Sequence, residues 1–250
     1  IKIDEERTDT LDLINLDCDV NFEEIEEKLE WKYKFEKETL LPIKSTVSKI
    51  KQMDNDNIEE LFEEENNNQL ELIVPNFIEK EKIGSAKKGT LMHLVLQNIN
   101  FKEKYDLIKV KQLIDDLLFK NKITCEERKV IDEEKIVHFC NSNLFKQISK
   151  AKEVYKEIPF CTKVKAKDYF DSEEDTFLLV QGIIDLYFVD EDGKIIIVDY
   201  KTDIEKDENI LKNRYKKQLE IYKDALEKNS NQKVFKKYIF SMFLNKEIEC

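Results

Sequence analysis

The sequence predicts an α/β (α+β) fold, in which a small mixed β-sheet is flanked by helices and preceded by a helical N-terminal leader. Apolar residues recur at helical spacing through most of the first 150 residues. The period then changes to that of strands, and a long helical segment and a last strand follow. Because strands and helices are interleaved in this second half, we expect the helices to cover a mixed sheet.

The leader is assigned to residues 1–80, which carry 23 acidic and 10 basic residues. Asn21 could cap a first helix that ends near Trp31, and a second short helix should follow Ser45. Residues 54–69 are acidic and rich in Asn, which is typical of a flexible connector. We therefore expect two domains, the leader 1–80 and a second domain 81–250.

The second domain begins with helices and continues with strands. Asp192-Gly193 is a turn signal between two strands, because this pair favours the positive φ of a tight hairpin. The run Ile195–Val198 is aliphatic throughout, as in a strand that is buried on both faces. The predicted helices are one starting at Gly89 and those at 105–120, 125–141, 142–150 and 207–229, and the predicted strands are 154–164, 177–189, 195–198 and 233–243.

Composition excludes several classes of protein. No run approaches the ~20 apolar residues of a membrane-spanning helix, so no membrane partner is expected. The five cysteines are scattered without a C-x-x-C pair, which disfavours a zinc ribbon, a disulfide framework and an iron–sulfur cluster. We expect a cytoplasmic protein. The net charge of −12 argues against nucleic acid, but residues 81–170 carry 19 basic and 13 acidic residues, and a basic stripe there could meet phosphate.

Candidate chemistry concentrates on the predicted hairpin. Asp199 and Lys201 are two positions apart in one strand, so both side chains project from the same face about 6–7 Å apart. Asp185 lies in the neighbouring strand and can meet them across the ladder. Two carboxylates at the end of a buried strand are costly to desolvate unless a cation lies between them. A hard divalent cation fits, with Mg²⁺ expected and Mn²⁺ possible.

This arrangement predicts hydrolysis of a phosphodiester. A bound metal would activate a water molecule, and Lys201 would orient it and offset the charge that develops on the phosphate. The competing interpretation is a surface hairpin with a simple ion pair between Asp199 and Lys201.

Three other features carry weaker signals. His93 is a single histidine in an amphipathic helix, and Gln218 and Tyr222 share a helix face at a spacing of four. The segment 84–90 has the glycines of a phosphate-binding loop but lacks the Lys after the second glycine, so no ATP site is expected. The same Gly/Lys stretch before a helix could still contact DNA phosphates.

Five motifs occur in order along the chain: Gly89-Thr90-x-x-His93, Glu157-Ile158-Pro159-Phe160, Gly182-Ile183-Ile184-Asp185, Asp199-Tyr200-Lys201-Thr202-Asp203 and Gln218-x-x-x-Tyr222. Together they resemble the RecB-type nucleases of the PD-(D/E)XK superfamily, and among them the nuclease domains of bacterial AddAB-type helicase–nucleases. One departure is Ile184, which stands where the superfamily name has Pro.

The resemblance implies a restriction-endonuclease-like core and a role for each matching position. His93, Asp185, Asp199 and the backbone carbonyl of Tyr200 would bind the metal, and Lys201 would be the catalytic lysine. Gln218, Tyr222 and Glu157 would support the site or contact DNA.

The resemblance also implies a role in repair. The substrate would be single-stranded DNA at double-strand ends, cut on the 3′-terminated strand during recombinational repair. Partners would be the helicase domains of a longer chain and an AddB subunit, to which the acidic leader would dock.

Two alternatives stay open. The chain could be a non-catalytic module of nuclease fold that binds DNA ends or helps a complex to assemble, although a decayed site should have lost Asp185, Asp199 or Lys201. It could also be an unrelated α+β protein whose acidic first third binds a basic partner, in which case Asp185 and Asp199 would lie far apart.

Overall fold

A mixed β-sheet with helices on both sides forms the fold, in agreement with the predicted class. The computed structural model describes residue 29 and residues 43–52, 84–169 and 176–250. The chain divides into two units, Ile1–Leu41 and Pro42–Cys250. The helix predicted at 21–31 and the connector 54–69 lie outside the described residues, apart from the single helical residue Leu29. The predicted boundary near residue 80 stays a prediction.

The described elements follow the predicted order closely. The predicted helix 125–141 is two helices, because Asp132 starts a new one by accepting a hydrogen bond from the Lys135 N–H. The short strands β1 and β6 were not predicted. The elements are β1 (Lys44–Thr46), α1 (Val47–Gln52), α2 (Ser85–Asn98), α3 (Leu107–Phe119), α4 (Cys125–Val130), α5 (Glu133–Asn141), α6 (Asn143–Lys150), β2 (Glu153–Lys165), β3 (Phe177–Val189), β4 (Ile195–Lys201), α7 (Glu208–Ser230), β5 (Val234–Ser241) and β6 (Lys246–Glu249).

The long strand β3 organises the sheet. It pairs antiparallel with β2 along one edge, and its other edge pairs first with β1 in parallel and then with β4 in antiparallel. β4 continues the sheet by pairing in parallel with β5, which pairs antiparallel with β6. The long helix α7 connects β4 to β5, as a parallel crossover requires.

A core of apolar side chains packs helices α2, α3, α5 and α6 against the sheet. Phe139 is fully buried at its centre, and its ring contacts Tyr200 and Phe240 of the sheet edge-on at centroid distances of 5.2 and 4.8 Å. Such aromatic contacts contribute about 0.5–1.5 kcal/mol each beyond the area they bury. The end of β4 is therefore held rigidly between the helices and β5. Within the part of the chain that the structure describes, no helix is both long and apolar enough to cross a membrane.

Candidate active site

The site begins where β3 and β4 separate. These strands pair from Val189/Ile195 to Leu186/Val198 and no further, while β4 goes on pairing with β5 as far as Lys201. The residues just beyond the last pair are Asp185 and Asp199, so the two carboxylates lie at the mouth of a fork. Tyr200 lies beyond the last β3–β4 pair, and its N–H donates to Asp185 Oδ2 at 2.9 Å. The strand hydrogen bond lost at the fork is thus replaced by one that orients a carboxylate.

Asp199 is fully buried and has one well-directed hydrogen bond. Gln218 Nε2 donates to its Oδ1 at 2.9 Å. Lys201 Nζ lies 2.7 Å from Oδ2, but it approaches outside the angular range of a hydrogen bond, so this oxygen has an ion pair and no directed donor. Burial raises the pKa of Asp199 to about 6, and the Lys201 charge only partly opposes it. The carboxylate would therefore gain from a further cation.

The pKa of Asp185 shifts in the opposite direction, although this side chain is also largely buried. His93 Nδ1 on α2 lies 3.5 Å from its Oδ2. Burial by itself would raise the pKa of Asp185, but His93, Lys201 and the Tyr200 N–H outweigh it and lower that pKa. Burial likewise opposes the charged imidazole, yet the hydrogen bond and charge of Asp185 outweigh it and raise the pKa of His93. Asp185 is thus held ionised, whereas Asp199 keeps its proton to a higher pH than an ordinary aspartate does.

Glu157 joins this group through an irregularity in β2. Its neighbours Lys156 and Ile158 pair with Leu186 and Ile184, which places Glu157 opposite Asp185. Its φ of 50° interrupts the ladder at this point, in a region that non-glycine residues adopt only at some cost in energy. Burial, and then the charge of Asp185, raise the pKa of Glu157.

His93, Glu157 and Asp185 form a candidate metal cluster. Each offers one ligand atom, and these atoms all lie within 4.8 Å of one another. The sequence suggested only a supporting role for Glu157, and its place in this cluster depends on a strand register that local patterns do not reveal. Asp199 is not part of this tight group, and its Oδ2 lies 2.7 Å from Lys201 Nζ.

Helix α7 supports Asp199 from one side of the fork. Gln218 donates through Nε2 both to Asp199 and, at 2.7 Å, to the hydroxyl oxygen of Tyr222. The Tyr222 ring packs edge-on against Phe160 of β2 at a centroid distance of 5.5 Å. Within the described contacts, the Tyr222 hydroxyl reaches the acids only through Gln218.

A second contact, between Tyr215 of α7 and Asp203 in the loop before α7, was not predicted. Lys201 Nζ lies 4.3 Å from the ring centroid of Tyr215, and the Tyr215 hydroxyl donates to Asp203 Oδ2 at 2.5 Å. The ring therefore holds the ammonium group by a cation–π contact while Asp203 fixes the ring. Tyr215 lies three residues before Gln218 on the same helix face, which is the sequence signal that could have indicated it.

The donor set fits a hard divalent cation. It comprises three carboxylates and one imidazole at the edge of a buried strand, and the buried Asp199 Oδ2 has no directed hydrogen bond among the residues described. Oxygen ligands of this kind suit Mg²⁺ or Mn²⁺. Tyr200 lies next to both acids, and its carbonyl as a further ligand stays a prediction.

The fold and this fork of acids and lysine define a class of nuclease. A model of the PD-(D/E)XK nuclease superfamily matches residues 67–247, and the chain belongs to that superfamily. The resemblance inferred from the five motifs is thereby confirmed.

Two individual proteins that are similar to this chain are more specific than the superfamily. The chain is 36% identical over 250 residues to the A subunit of the ATP-dependent helicase/nuclease of Clostridium botulinum strain Hall, and this match covers 96% of this chain and 19% of that protein. It is 34% identical over 236 residues to the protein of the same name from Clostridium novyi strain NT, and this match covers 91% of this chain and 19% of that protein. The chain thus spans about a fifth of the length of the relatives it matches.

Proposed function

We propose that this chain is the metal-dependent nuclease domain of an AddA-type helicase–nuclease and hydrolyses phosphodiesters of single-stranded DNA. The observation that carries the proposal is the meeting of Asp185, Asp199 and Lys201 at the fork between β3 and β4. Two acids of opposite pKa shift beside a largely enclosed lysine suit phosphoryl chemistry rather than a structural ion pair.

The metal ligands in this proposal are His93, Asp185, Asp199 and the Tyr200 carbonyl, with Glu157 added on the basis of its position. Mg²⁺, or Mn²⁺ in its place, would act there as a Lewis acid on a phosphate oxygen and lower the pKa of a bound water molecule. Binding would also remove the energetic cost of ionising the buried Asp199.

The remaining roles belong to side chains around the proposed metal ligands. The Lys201 side chain is 14% exposed, and its ammonium group would meet a phosphate oxygen and stabilise the charge that develops there. Tyr215 limits the movement of that group, and Gln218 fixes the orientation of the Asp199 carboxylate. Asp185 keeps His93 in place through their ion pair.

The biological setting is part of the proposal and rests on the resemblance that the five motifs carry. In a longer chain, this domain would act on the 3′-terminated strand while helicase domains unwind double-strand ends for recombinational repair. An AddB subunit would be the partner, and residues 1–80 would dock on AddB or on the helicase domains, because their acidity suits a basic surface.

Cleavage of end-labelled single-stranded DNA tests the proposal. We expect cutting with Mg²⁺, none with EDTA, and a rate more than about a hundredfold lower in Asp199→Asn, since even residues that only orient ligands change activity 10–100-fold. Asp192→Asn is the matched control, because it makes the same change in the exposed β3–β4 turn.

Two results would contradict the proposal. One is Mg²⁺-dependent cutting that Asp199→Asn leaves intact. The other is a wild-type chain that neither cuts DNA nor binds Mg²⁺ in a calorimetric titration. Metal binding without cleavage would favour the non-catalytic module.

A further inference from the structure

A lysine of β2 fastens this strand to the end of helix α2. The Nζ atom of Lys156 donates to the Gln97 carbonyl oxygen at 2.9 Å and also to the Ile99 carbonyl oxygen. It lies 4.9 Å from the ring centroid of Phe101, which is buried in the core. Gln97 is the penultimate residue of α2, and Ile99 is its C-cap. Carbonyls at a helix end lack a partner within their own helix, so a charged donor stabilises them.

The two elements that Lys156 joins carry two of the proposed metal ligands. His93 lies on α2 one turn before Gln97, and Glu157 directly follows Lys156 in β2. Their ligand atoms and that of Asp185 all lie within 4.8 Å of one another. The distance between the imidazole and the Glu157 carboxylate therefore depends on how α2 lies against β2.

Apolar packing alone does not fix α2 along its own axis. Contacts between apolar side chains have no preferred direction, and the buried side chains of α2 are Leu91, Met92, Val95 and Leu96. The N-cap residue is Gly84, which has no side chain to cap the first turn. The hydrogen bonds from Lys156 are directional, so they limit a shift that the apolar face would permit.

The backbone of Glu157 needs an anchor for a second reason. Its φ of 50° is costly for a residue other than glycine, and such a conformation persists only where the surrounding contacts hold it. On one side of Glu157, Ile158 is paired with Ile184. On the other side, Lys156 is paired with Leu186 in the ladder and is fastened to α2 by its side chain. Lys156 thus holds both the strained residue and the helix that carries His93.

We propose that Lys156 is a positioning residue of the metal site, which holds His93 and Glu157 at ligand distance by fastening α2 to β2. The inference rests on the proposed metal-dependent nuclease function and adds to it a residue that contacts neither metal nor substrate. Replacing a residue that orients metal ligands typically changes metal affinity or activity by roughly 10–100-fold.

Lys102 provides a matched control. Its Nζ atom donates to the carbonyl oxygens of Ser149 and Ala151 at 2.8 and 3.2 Å. Ser149 is the penultimate residue of α6 and Ala151 is its C-cap, the same two positions that Gln97 and Ile99 occupy in α2. Helix α6 carries none of the proposed ligands, so loss of this contact should cost stability without changing the metal site.

The first test measures the affinity for Mn²⁺ by isothermal titration calorimetry. Lys156→Met keeps an apolar stem and removes the donors, and we expect the dissociation constant to rise roughly tenfold. Lys156→Arg should recover most of this loss, because a guanidinium group can donate to two carbonyls. Lys102→Met should leave the dissociation constant unchanged. Urea unfolding of each variant reports its stability separately.

The second test reports on His93 itself and needs no DNA. Electron spin echo envelope modulation of bound Mn²⁺ detects a directly coordinated imidazole nitrogen, and His93→Gln identifies the signal of this histidine. At saturating Mn²⁺ we expect a strong nitrogen signal in the wild type and in Lys102→Met, and a reduced one in Lys156→Met. Lys156→Gln, which has a shorter side chain, tests the same contact if Lys156→Met does not fold.

The results separate this inference from the nuclease assignment. Equal affinities and equal nitrogen signals in the wild type and Lys156→Met would overturn the positioning role, as would an equal loss in Lys102→Met. Cleavage of DNA by the wild type would in either case still support the nuclease. The expected dependence on Lys156 without any cleavage would support the positioning role and count against the nuclease. A wild type that binds no Mn²⁺, or binds it without a His93 signal, would overturn the positioning role.

Discussion

At the scale of single residues, position in the fork decides the chemistry of identical side chains. Asp185 and Asp199 are both largely buried, yet the pKa of the first is lowered and that of the second is raised. Asp185 receives the Tyr200 N–H and faces His93, whereas Asp199 is fully enclosed and relies on Gln218 and Lys201. Burial and the charge of Asp185 raise the pKa of Asp199 more than Lys201 and His93 lower it, whereas His93, Lys201 and the Tyr200 N–H outweigh burial at Asp185.

Stability should therefore depend on pH through Asp199. Because its pKa is about 6 in the folded chain and near 3.9 in the unfolded chain, the folded state holds the proton more tightly. Stability from this group is complete below about pH 4 and is lost as the pH rises through 6. We expect the metal-free chain to lose about 2 to 3 kcal/mol from this group between pH 4 and 7.

Asp199→Asn tests that expectation, since it removes the titration while preserving shape. Urea unfolding in EDTA at several pH values should show a smaller decline in the free energy of unfolding for this variant than for the wild type. The ion pair of His93 with Asp185 weakens in the same pH direction and remains in both proteins. An identical decline in the variant would show that the pH dependence of stability comes from groups other than Asp199.

At the scale of elements, close packing around Gly182 connects the β2–β3 hairpin to the site. A Cβ atom there would lie 2.9 Å from both Phe160 and Val47 side-chain atoms. Phe160 in turn packs on Tyr222, which accepts from Gln218, the donor to Asp199. The β2–β3 hairpin, α1 and α7 therefore act together to position the buried carboxylate of Asp199.

Gly182→Ala should consequently destabilise the chain by about 1–3 kcal/mol, the usual range for overpacking. Gly84→Ala is the control, because nothing lies within 4 Å of its added Cβ, and we expect a change close to zero. Urea denaturation measures both. Equal effects of the two substitutions would show that the contact at Gly182 relaxes freely.

At the scale of the whole molecule, the chain carries a net charge of −12 and gathers several of its acids around one fork. Such a site gains free energy when a divalent cation neutralises it, and the gain appears as stability because the unfolded chain lacks the site. The negative charge also opposes DNA at a distance, so we expect weak binding that falls steeply with salt.

Mg²⁺ should raise the melting temperature of the wild type. At ten times the dissociation constant the stabilisation is about 1.4 kcal/mol, or roughly 3–5 °C for a domain of this size. Asp185→Asn should reduce the shift, and Asp192→Asn in the exposed turn should retain it. KCl at equal ionic strength controls for screening, and an equal shift with KCl would contradict a specific site.

The sequence by itself determined the local features of this protein. The sequence pattern predicted β3 and α7 almost to the residue and the start of β4, and Asp192-Gly193 predicted the turn between β3 and β4, where Gly193 has a φ of 85°. A hairpin with a short turn has few possible registers, so local spacing was enough to bring Asp185, Asp199 and Lys201 together. Their meeting at the fork agrees with that prediction.

Features that depend on contacts between residues far apart in sequence were decided only by the tertiary structure. β2 ends at Lys165 and β3 begins only at Phe177, a separation too long for local patterns to place Glu157 opposite Asp185. Lys44–Thr46, within the predicted leader, pairs with residues 179–181 near the start of β3, far away in sequence. The opposite pKa shifts of the two acids, the Tyr215 contact and the Lys156 contacts likewise arise from burial and neighbours. These are properties of the packed chain and have no signature in local spacing.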